Sequence, residues 1–201
     1  MMRGRPLSFD KDKTLETILN VFWDFGYVGT SYTDLCKATG LTKPSLYAAF
    51  GNKEETFLAA LERYLDRFVR PGEAVLEIEP DPRQAVRKLL AATVFGLTSP
   101  DTPPGCMIAA NISCANAPDV PKRVSDALHS AVKETPEAIH QRLMIAEPQF
   151  LPPDSTPNSL AFYFEVIISG LSSLARQGAS QAELLPIIDR VMQGWEENSR
   201  S

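Results

Sequence analysis

Apolar residues recur at helical spacing along nearly the whole chain, and this periodicity limits the fold more than any other feature. The first series runs from Leu15 to Phe25 with an apolar side chain every three or four residues, and Gly26 then predicts a helix end. Three proline-rich breaks separate further periodic segments at about 81–98, 105–116, 119–147 and 158–177, and a last periodic segment follows at about 180–197. No segment alternates as a half-buried strand does, so the sequence predicts an all-α protein.

Short helices with strong end signals fill the segment between the first helix and about residue 70. The residues expected to cap their N-termini are Ser31 with Asp34, Thr42, and Asn52 with Glu55. The residues expected to end them are Gly40, Gly51 and the pair Pro71-Gly72.

Two of these helices are joined by residues 38–41 and have the length and turn chemistry of a helix-turn-helix. In that arrangement the second helix lies in the major groove of DNA, which is wide enough for an α-helix. Leu46 and Phe50 would then face inward, while the start of the helix would face base edges and phosphates. A glycine-turned helix pair also occurs in many helical proteins, so the pattern alone leaves that alternative open.

The runs Gly26–Leu35 and Gly40–Glu55 closely resemble the tetracycline-repressor (TetR) family of transcriptional regulators. The resemblance covers about residues 8 to 60, and beyond them only the helix count and chain length match. It implies an all-helical homodimer with an N-terminal three-helix DNA-binding domain, followed by a helical domain that binds an inducer and dimerises.

From this resemblance we expect a DNA-binding domain over 1–53 and a regulatory domain over 54–201 that begins with a connecting helix at 54–70. The positions implied to contact DNA are Thr30, Thr33, Thr42, Lys43, Pro44, Ser45, Tyr47 and Lys53. Many family members have a histidine just before the phenylalanine that ends the recognition helix. Ala49 stands there in this sequence, which removes one phosphate contact.

The charge distribution also suits a modular DNA-binding protein. Residues 1–53 carry seven basic and five acidic side chains, a charge of +2. Because the whole chain has a net charge of −5, the remaining residues carry −7. A basic arm over 1–7 contains Arg3 and Arg5 on either side of Gly4, as in the core of an AT-hook. Such arginines can enter a narrow A·T-rich minor groove, although a disordered basic terminus is the alternative.

The C-terminal helices over about 158–197 are expected to form a dimer interface, with a monomer core as the alternative. The expected interface residues are Phe164, Ile168, Leu171, Ile187, Val191 and Trp195. The helices near 81–98, 105–116 and 158–177 are expected to enclose a ligand pocket lined by Phe95, Met107 and Phe162, with Asn111 as a polar anchor.

The remaining reactive side chains point to neither an enzyme nor a metal or cofactor site. His129 and His140 have no partners at ligand spacing, and there is no serine elbow or phosphate loop. Eight residues of helix would separate Cys106 from Cys114 by about 12 Å, too far for a disulfide. Cys106 is either a reactive thiol at a helix start or a small buried apolar residue.

Taken together, these features predict a repressor that binds a palindromic DNA operator as a homodimer and leaves it when a small-molecule inducer binds. The alternative is a ligand-independent DNA-binding or chromosome-organising protein of the same fold. No stretch reaches the roughly 18–20 uninterrupted apolar residues of a membrane span, and the N-terminus lacks the apolar core of a signal peptide. We therefore expect a cytoplasmic protein without a membrane partner.

Overall fold

A computed structural model describes residues 9–152 and 154–198, and within these ranges the chain folds into α-helices without strands. The helices are α1 Lys11–Gly29, α2 Tyr32–Thr39, α3 Lys43–Phe50, α4 Lys53–Tyr64, α5 Arg70–Ile78, α6 Pro82–Leu97, α7 Met107–Ile112, α8 Lys122–Met144, α9 Pro157–Arg176 and α10 Gln181–Asn198. The predicted all-α class is confirmed. Arg3 and Arg5 of the expected basic arm lie outside the described residues.

The end signals read from the sequence around α2, α3 and α4 are confirmed. Ser31 and Asp34 form a reciprocal capping box at the start of α2, and Gly40 ends that helix in the left-handed conformation with φ 70° and ψ 9°. A second capping box starts α4, because Asn52 Oδ1 accepts from the Glu55 amide at 3.0 Å and Glu55 Oε2 accepts from the Asn52 amide at 2.9 Å.

Gly26 interrupts α1 instead of ending it. Its dihedral angles, φ 71° and ψ 172°, break the helix, and one further turn then continues to Gly29. A side chain at this position would be strained by the positive φ and would place its Cβ 3.4 Å from Asn111 Oδ1. The glycine therefore permits both the kink and a close approach of α7 to α1.

The prediction that Pro71-Gly72 ends the connecting helix is wrong. A π-helical segment, Leu65–Val69, links α4 to α5, which continues to Ile78. Pro71 lies in the first turn of α5, where its missing N–H costs no helical hydrogen bond. The wider π-helical turn thus lets the helix continue past Pro71.

Two apolar clusters hold the helices together. The first joins the N-terminal helices, through side chains such as Phe22, Leu46 and Phe57, to residues of α7 and α8 such as Met107 and Leu128. The second joins α6, α8, α9 and α10. The helix-turn-helix therefore shares its core with the regulatory part of the chain and has no separate one.

Replacing Asn52 by alanine removes the side-chain half of the α4 capping box. We expect the free energy of unfolding to fall by about 1 kcal/mol, as for other lost N-caps, with the fold retained. Urea unfolding followed by circular dichroism measures this. Asn158→Ala is the matched control, because Asn158 is exposed in the first turn of α9. Equal losses in both variants would contradict a capping role for Asn52.

Candidate DNA-binding surface and ligand cavity

The first turn of α3 forms an exposed polar surface. Thr42 caps the helix through its side chain, and its Oγ1 lies 2.9 Å from Ser45 Oγ. The candidate contact residues exposed here are Thr42, Lys43, Pro44, Ser45 and Tyr47. Leu46 and Phe50 point inward and are buried, as the sequence predicted. The orientation leaves every predicted recognition-helix side chain free to reach a groove.

Contacts from α2 and α4 fix the orientation of α3. The hydroxyl of Tyr32 donates to the carbonyl of Gly51 at 2.7 Å, which ties α2 to the turn after α3. The Tyr32 and Tyr47 rings also lie near each other, with centroids 6.4 Å apart. Leu46 is fully buried and packs in the same apolar cluster as Leu35 and Phe57. A recognition helix held in this way loses little freedom when it binds DNA.

The structure corrects the expectation that the Thr30 side chain contacts phosphate. Thr30 is only 2% exposed, and its hydroxyl donates to the carbonyl of Gly26 at 2.7 Å, where it stabilises the kinked end of α1. Thr33, in the first turn of α2, is exposed and keeps its position as a candidate contact.

Lys53 is the first residue of α4 and packs against the end of α1. Its Nζ lies 4.3 Å from the centre of the Tyr27 ring, a cation–π contact. Burial lowers the pKa of Lys53, and nearby Asp119 partly counters that effect. The side chain therefore connects the candidate phosphate-binding position to the segment just after Gly26.

A buried hydrogen bond joins this segment to α7. Asn111 is 3% exposed; its Oδ1 accepts from the Tyr27 amide at 2.7 Å and its Nδ2 donates to the Met107 carbonyl at 2.8 Å. The indole of Trp23 also donates to the carbonyl of Gly105 at 3.2 Å. Asn111 and Met107 thus connect α7 to the DNA-binding helices. Local sequence patterns do not reveal this connection, because the two partners of the hydrogen bond lie more than eighty residues apart.

A cavity of about 160 Å³ lies among α4, α6, α7, α8 and α9. Its wall includes Phe68, Leu89, Cys106, Ile108, Glu165 and Ser172. The three helices predicted to enclose a ligand pocket, α6, α7 and α9, all contribute to this wall. None of the four residues predicted to line the pocket does so.

Helical phase explains the error in the pocket residues. Phe95 and Phe162 are 56% and 66% exposed, on the outer sides of α6 and α9. Met107 and Asn111 are buried on the side of α7 that packs in the core with α1. Each residue is on the expected helix, but its side chain points away from the cavity.

Cys106 lies on the cavity wall beside a buried phenol. The hydroxyl of Tyr64 donates to Cys106 Sγ at 3.1 Å. Burial raises the pKa of Tyr64 well above its usual value, and the adjacent thiol adds to the shift, so the phenol stays protonated as a donor.

Cys36, Cys106 and Cys114 are all free thiols. Within the described residues no cluster of three His, Cys, Asp or Glu side chains has the geometry of a metal site.

The predicted dimer residues divide between two environments. Phe164, Leu171 and Trp195 are at most 4% exposed inside the protomer, so they cannot meet a partner, whereas Ile168, Ile187 and Val191 are partly buried. The outer face of α9 instead exposes Phe162, Tyr163, Val166 and Leu174. Because α9 is apolar on both sides, periodicity did not show which side meets the protomer core.

By length and composition alone α9 is apolar enough to cross a membrane, the one such helix in the described part of the chain. A third of the window is buried in the protomer, at 33%. A single helix of this kind is weak evidence for a membrane span, since helices of cores and interfaces meet the same criterion.

Comparison with known proteins identifies the family. Residues 15–60 match the family described as "Bacterial regulatory proteins, tetR family". The chain is 36% identical over 197 residues to the HTH-type transcriptional repressor ComR of Escherichia coli (strain K12), covering 97% of this chain and 93% of that protein.

Solved structures with the same architecture include two bound to operator DNA. The TetR family regulator CifR, as a cysteine mutant complexed with 26-bp double-strand operator DNA, has a TM-score of 0.87 and 33% identity, covering 96% of this chain and 100% of that chain. AibR, in complex with isovaleryl coenzyme A and operator DNA, has a TM-score of 0.72 over 92% of this chain and 97% of that chain, and its 18% identity supports the fold alone. This chain is a DNA-binding transcriptional regulator and belongs to the TetR family.

Proposed function

We propose that this protein is a repressor that binds a palindromic operator as a homodimer and leaves it when a small molecule occupies the cavity. The observation that carries the proposal is the exposed first turn of α3, held in place by the buried side chains of Leu46 and Phe50. The likeness to ComR, a named repressor, and to CifR on its operator supports it. The role needs no catalytic group and places the protein with bacterial DNA in the cytoplasm.

The proposed DNA contacts divide into two kinds. Lys43, Ser45 and Tyr47 lie on the part of α3 that enters the major groove and read base edges. Thr33 and Lys53 lie at the starts of α2 and α4, where backbone N–H groups and the helix dipole favour phosphate. Arg3 and Arg5 remain a proposed minor-groove arm.

The proposed dimer interface is the outer face of α9 together with the partly buried side chains of α10. Phe162 and Val166 are 66% and 55% exposed in the protomer, and such a contiguous apolar surface is typical of a protein interface. A homodimer carries two recognition helices related by a two-fold axis, and this symmetry matches the two half-sites of a palindromic operator.

Release requires that the ligand favour an arrangement that does not fit DNA, because equal affinity for both arrangements shifts nothing. α7 is the proposed connection: Ile108 and Ala109 line the cavity, while Asn111 holds the Tyr27 amide. A ligand that moves α7 therefore acts directly on the end of α1.

Substitutions in the DNA-binding helices separate the two kinds of contact. We expect Lys43→Ala and Ser45→Ala to change the preferred base at defined operator positions, with each lost base contact costing about 1–3 kcal/mol. Lys53→Ala should weaken binding to all sequences alike and reduce the salt dependence by about one ion per subunit. Affinities are measured across single-base variants of an operator selected from random duplexes.

The register of α3 proposed here would be wrong if Lys53→Ala changed base preference and the α3 variants did not. A selection that enriches no palindrome would favour the chromosome-organising alternative.

The dimer face is tested by Val166→Glu. Val166 is 55% exposed, so the protomer should fold, whereas two unpaired carboxylates in an apolar interface cost several kcal/mol and should yield monomers with weak operator binding. Ile78→Glu is the control, because Ile78 is 78% exposed at the end of α5. Light scattering that shows an unaffected Val166→Glu dimer, or a monomeric parent protein, would contradict this interface.

Asn111→Ala tests the connection between α7 and α1. The buried Tyr27 N–H loses its acceptor, which should lower the free energy of unfolding by about 1–3 kcal/mol. Because the end of α1 then loses its hydrogen bond to α7, operator affinity should also fall in conditions where the variant is fully folded. Asn116→Ala, at an exposed position beyond α7, should change neither quantity. An Asn111→Ala variant that is less stable but binds the operator normally would remove Asn111 from the proposed connection.

A further inference from the structure

Among the described residues, the only charged side chain on the wall of the cavity is Glu165 of α9. We infer that the cavity takes a small hydrophobic amine, a cation whose charge pairs with this carboxylate; the inference rests on the proposed ligand-controlled release. Elsewhere the wall is mostly aliphatic and aromatic, with a few hydroxyl groups and the Cys106 thiol. An apolar body with a single amino group fits that distribution.

The polar side chains that α9 contributes to the wall form one stripe along this helix. Glu165, Ser169 and Ser172 are spaced by four and three residues, so they lie on the same face of the helix. Glu165 shares this inner side with the buried Ala161, whereas Phe162 is on the outer face. The carboxylate is thus directed into its own protomer, away from the proposed partner.

None of the three side chains in this stripe has a hydrogen-bond or ion-pair partner among the described residues. Glu165 forms no ion pair or side-chain hydrogen bond there, although it is partly buried. Ser172 is 3% exposed and lines the cavity, and its hydroxyl also makes no hydrogen bond in the described part of the chain. Because Ser172 and Glu165 line the cavity without a protein partner, their polar atoms are available to a polar group of a ligand.

The other hydroxyls of the wall are already engaged. Thr93 donates to the carbonyl of Leu89 at 2.9 Å, and Thr135 donates to Glu73 Oε1 at 2.6 Å. Tyr64 donates to Cys106. Apart from the serines of α9, an incoming ligand therefore meets mainly acceptors, and a donor on the ligand suits this wall better than an acceptor.

Charges behind the wall also disfavour an anion. Glu73 lies behind Thr135, and Arg70 is committed to Glu62, Asp66 and Glu134. In the part of the chain that the structure describes, no lysine, arginine or histidine lines the cavity. A carboxylate or phosphate on the ligand would be buried without a counter-charge beside Glu165, whereas an ammonium group would gain one.

The volume limits the apolar part to about one ring. A dry cavity of roughly 150 Å³ holds benzene, and this one is about 160 Å³. A benzene ring carrying a short amine therefore represents the inferred class of ligand in size, charge and hydrogen bonding.

Three molecules of nearly equal shape test the charge: benzylamine, benzyl alcohol and benzoate, titrated into the dimer by calorimetry at pH 7. We expect benzylamine to bind about tenfold more tightly than benzyl alcohol, and benzoate to give no measurable binding. Glu165→Gln should reduce benzylamine to the affinity of the alcohol and leave the alcohol unchanged. Glu137→Gln, an exposed carboxylate on α8, is the control and should change neither.

The Cys106 thiol reports where the probe binds. Bound benzylamine should slow alkylation of Cys106 by N-ethylmaleimide and leave exposed Cys114 unaffected, as measured by peptide mass spectrometry. Benzoate binding as tightly as benzylamine, binding by none of the three, or an unchanged amine preference in Glu165→Gln would overturn the inference.

Operator release, measured separately, distinguishes this inference from the proposed function. Benzylamine that binds beside Cys106 without weakening operator binding would support the amine site and contradict ligand-controlled release. Benzoate that releases the operator would overturn the amine site and leave ligand-controlled release intact.

Discussion

The hydrogen bond from the Tyr27 amide to Asn111 is the interaction that positions the DNA-binding helices against α7 of the regulatory part of the chain. Gly26 breaks the helical ladder, and a buried N–H without an acceptor costs about 1–3 kcal/mol. Asn111 provides that acceptor from α7, and a glycine adopts the positive φ of the kink without strain. The kink, the position of α7 and the orientation of the DNA-binding helices therefore depend on one another.

α7 has only six residues, and its two sides face different parts of the protein. Ile108 and Ile112 line the cavity, whereas Met107 and Asn111 are buried towards α1. A helix of this length makes few internal hydrogen bonds, so its position is set by the packing on either side of it. Any molecule that fills the cavity thus acts on the same element that holds the end of α1.

The sequence predicted local structure well and side-chain environments less well, for physical reasons. Caps such as Asn52 with Glu55 depend on groups within four residues, so they can be read directly. The continuation past Pro71 depends on a π-turn that changes the helical phase. Leu171 was assigned to the dimer face but is buried in the protomer core, and Phe162 was assigned to the cavity but is exposed on the outer side of α9. A helix that is apolar all round does not indicate which side faces which neighbour.

α9 brings the two proposed activities of the regulatory domain onto one helix. Its inner face carries Glu165 and Ser172 on the cavity wall, and its outer face exposes Val166 where we propose the partner binds. At its C-terminal end, Arg176 donates to the Trp23 carbonyl at 3.0 Å and to the Asp24 carbonyl at 2.7 Å. α1 is thus held at its kink by α7 and just before the kink by α9. A ligand between α7 and α9 therefore affects both attachments at once. If α9 pairs across a two-fold axis as we propose, a tilt of this helix also changes the spacing of the two recognition helices.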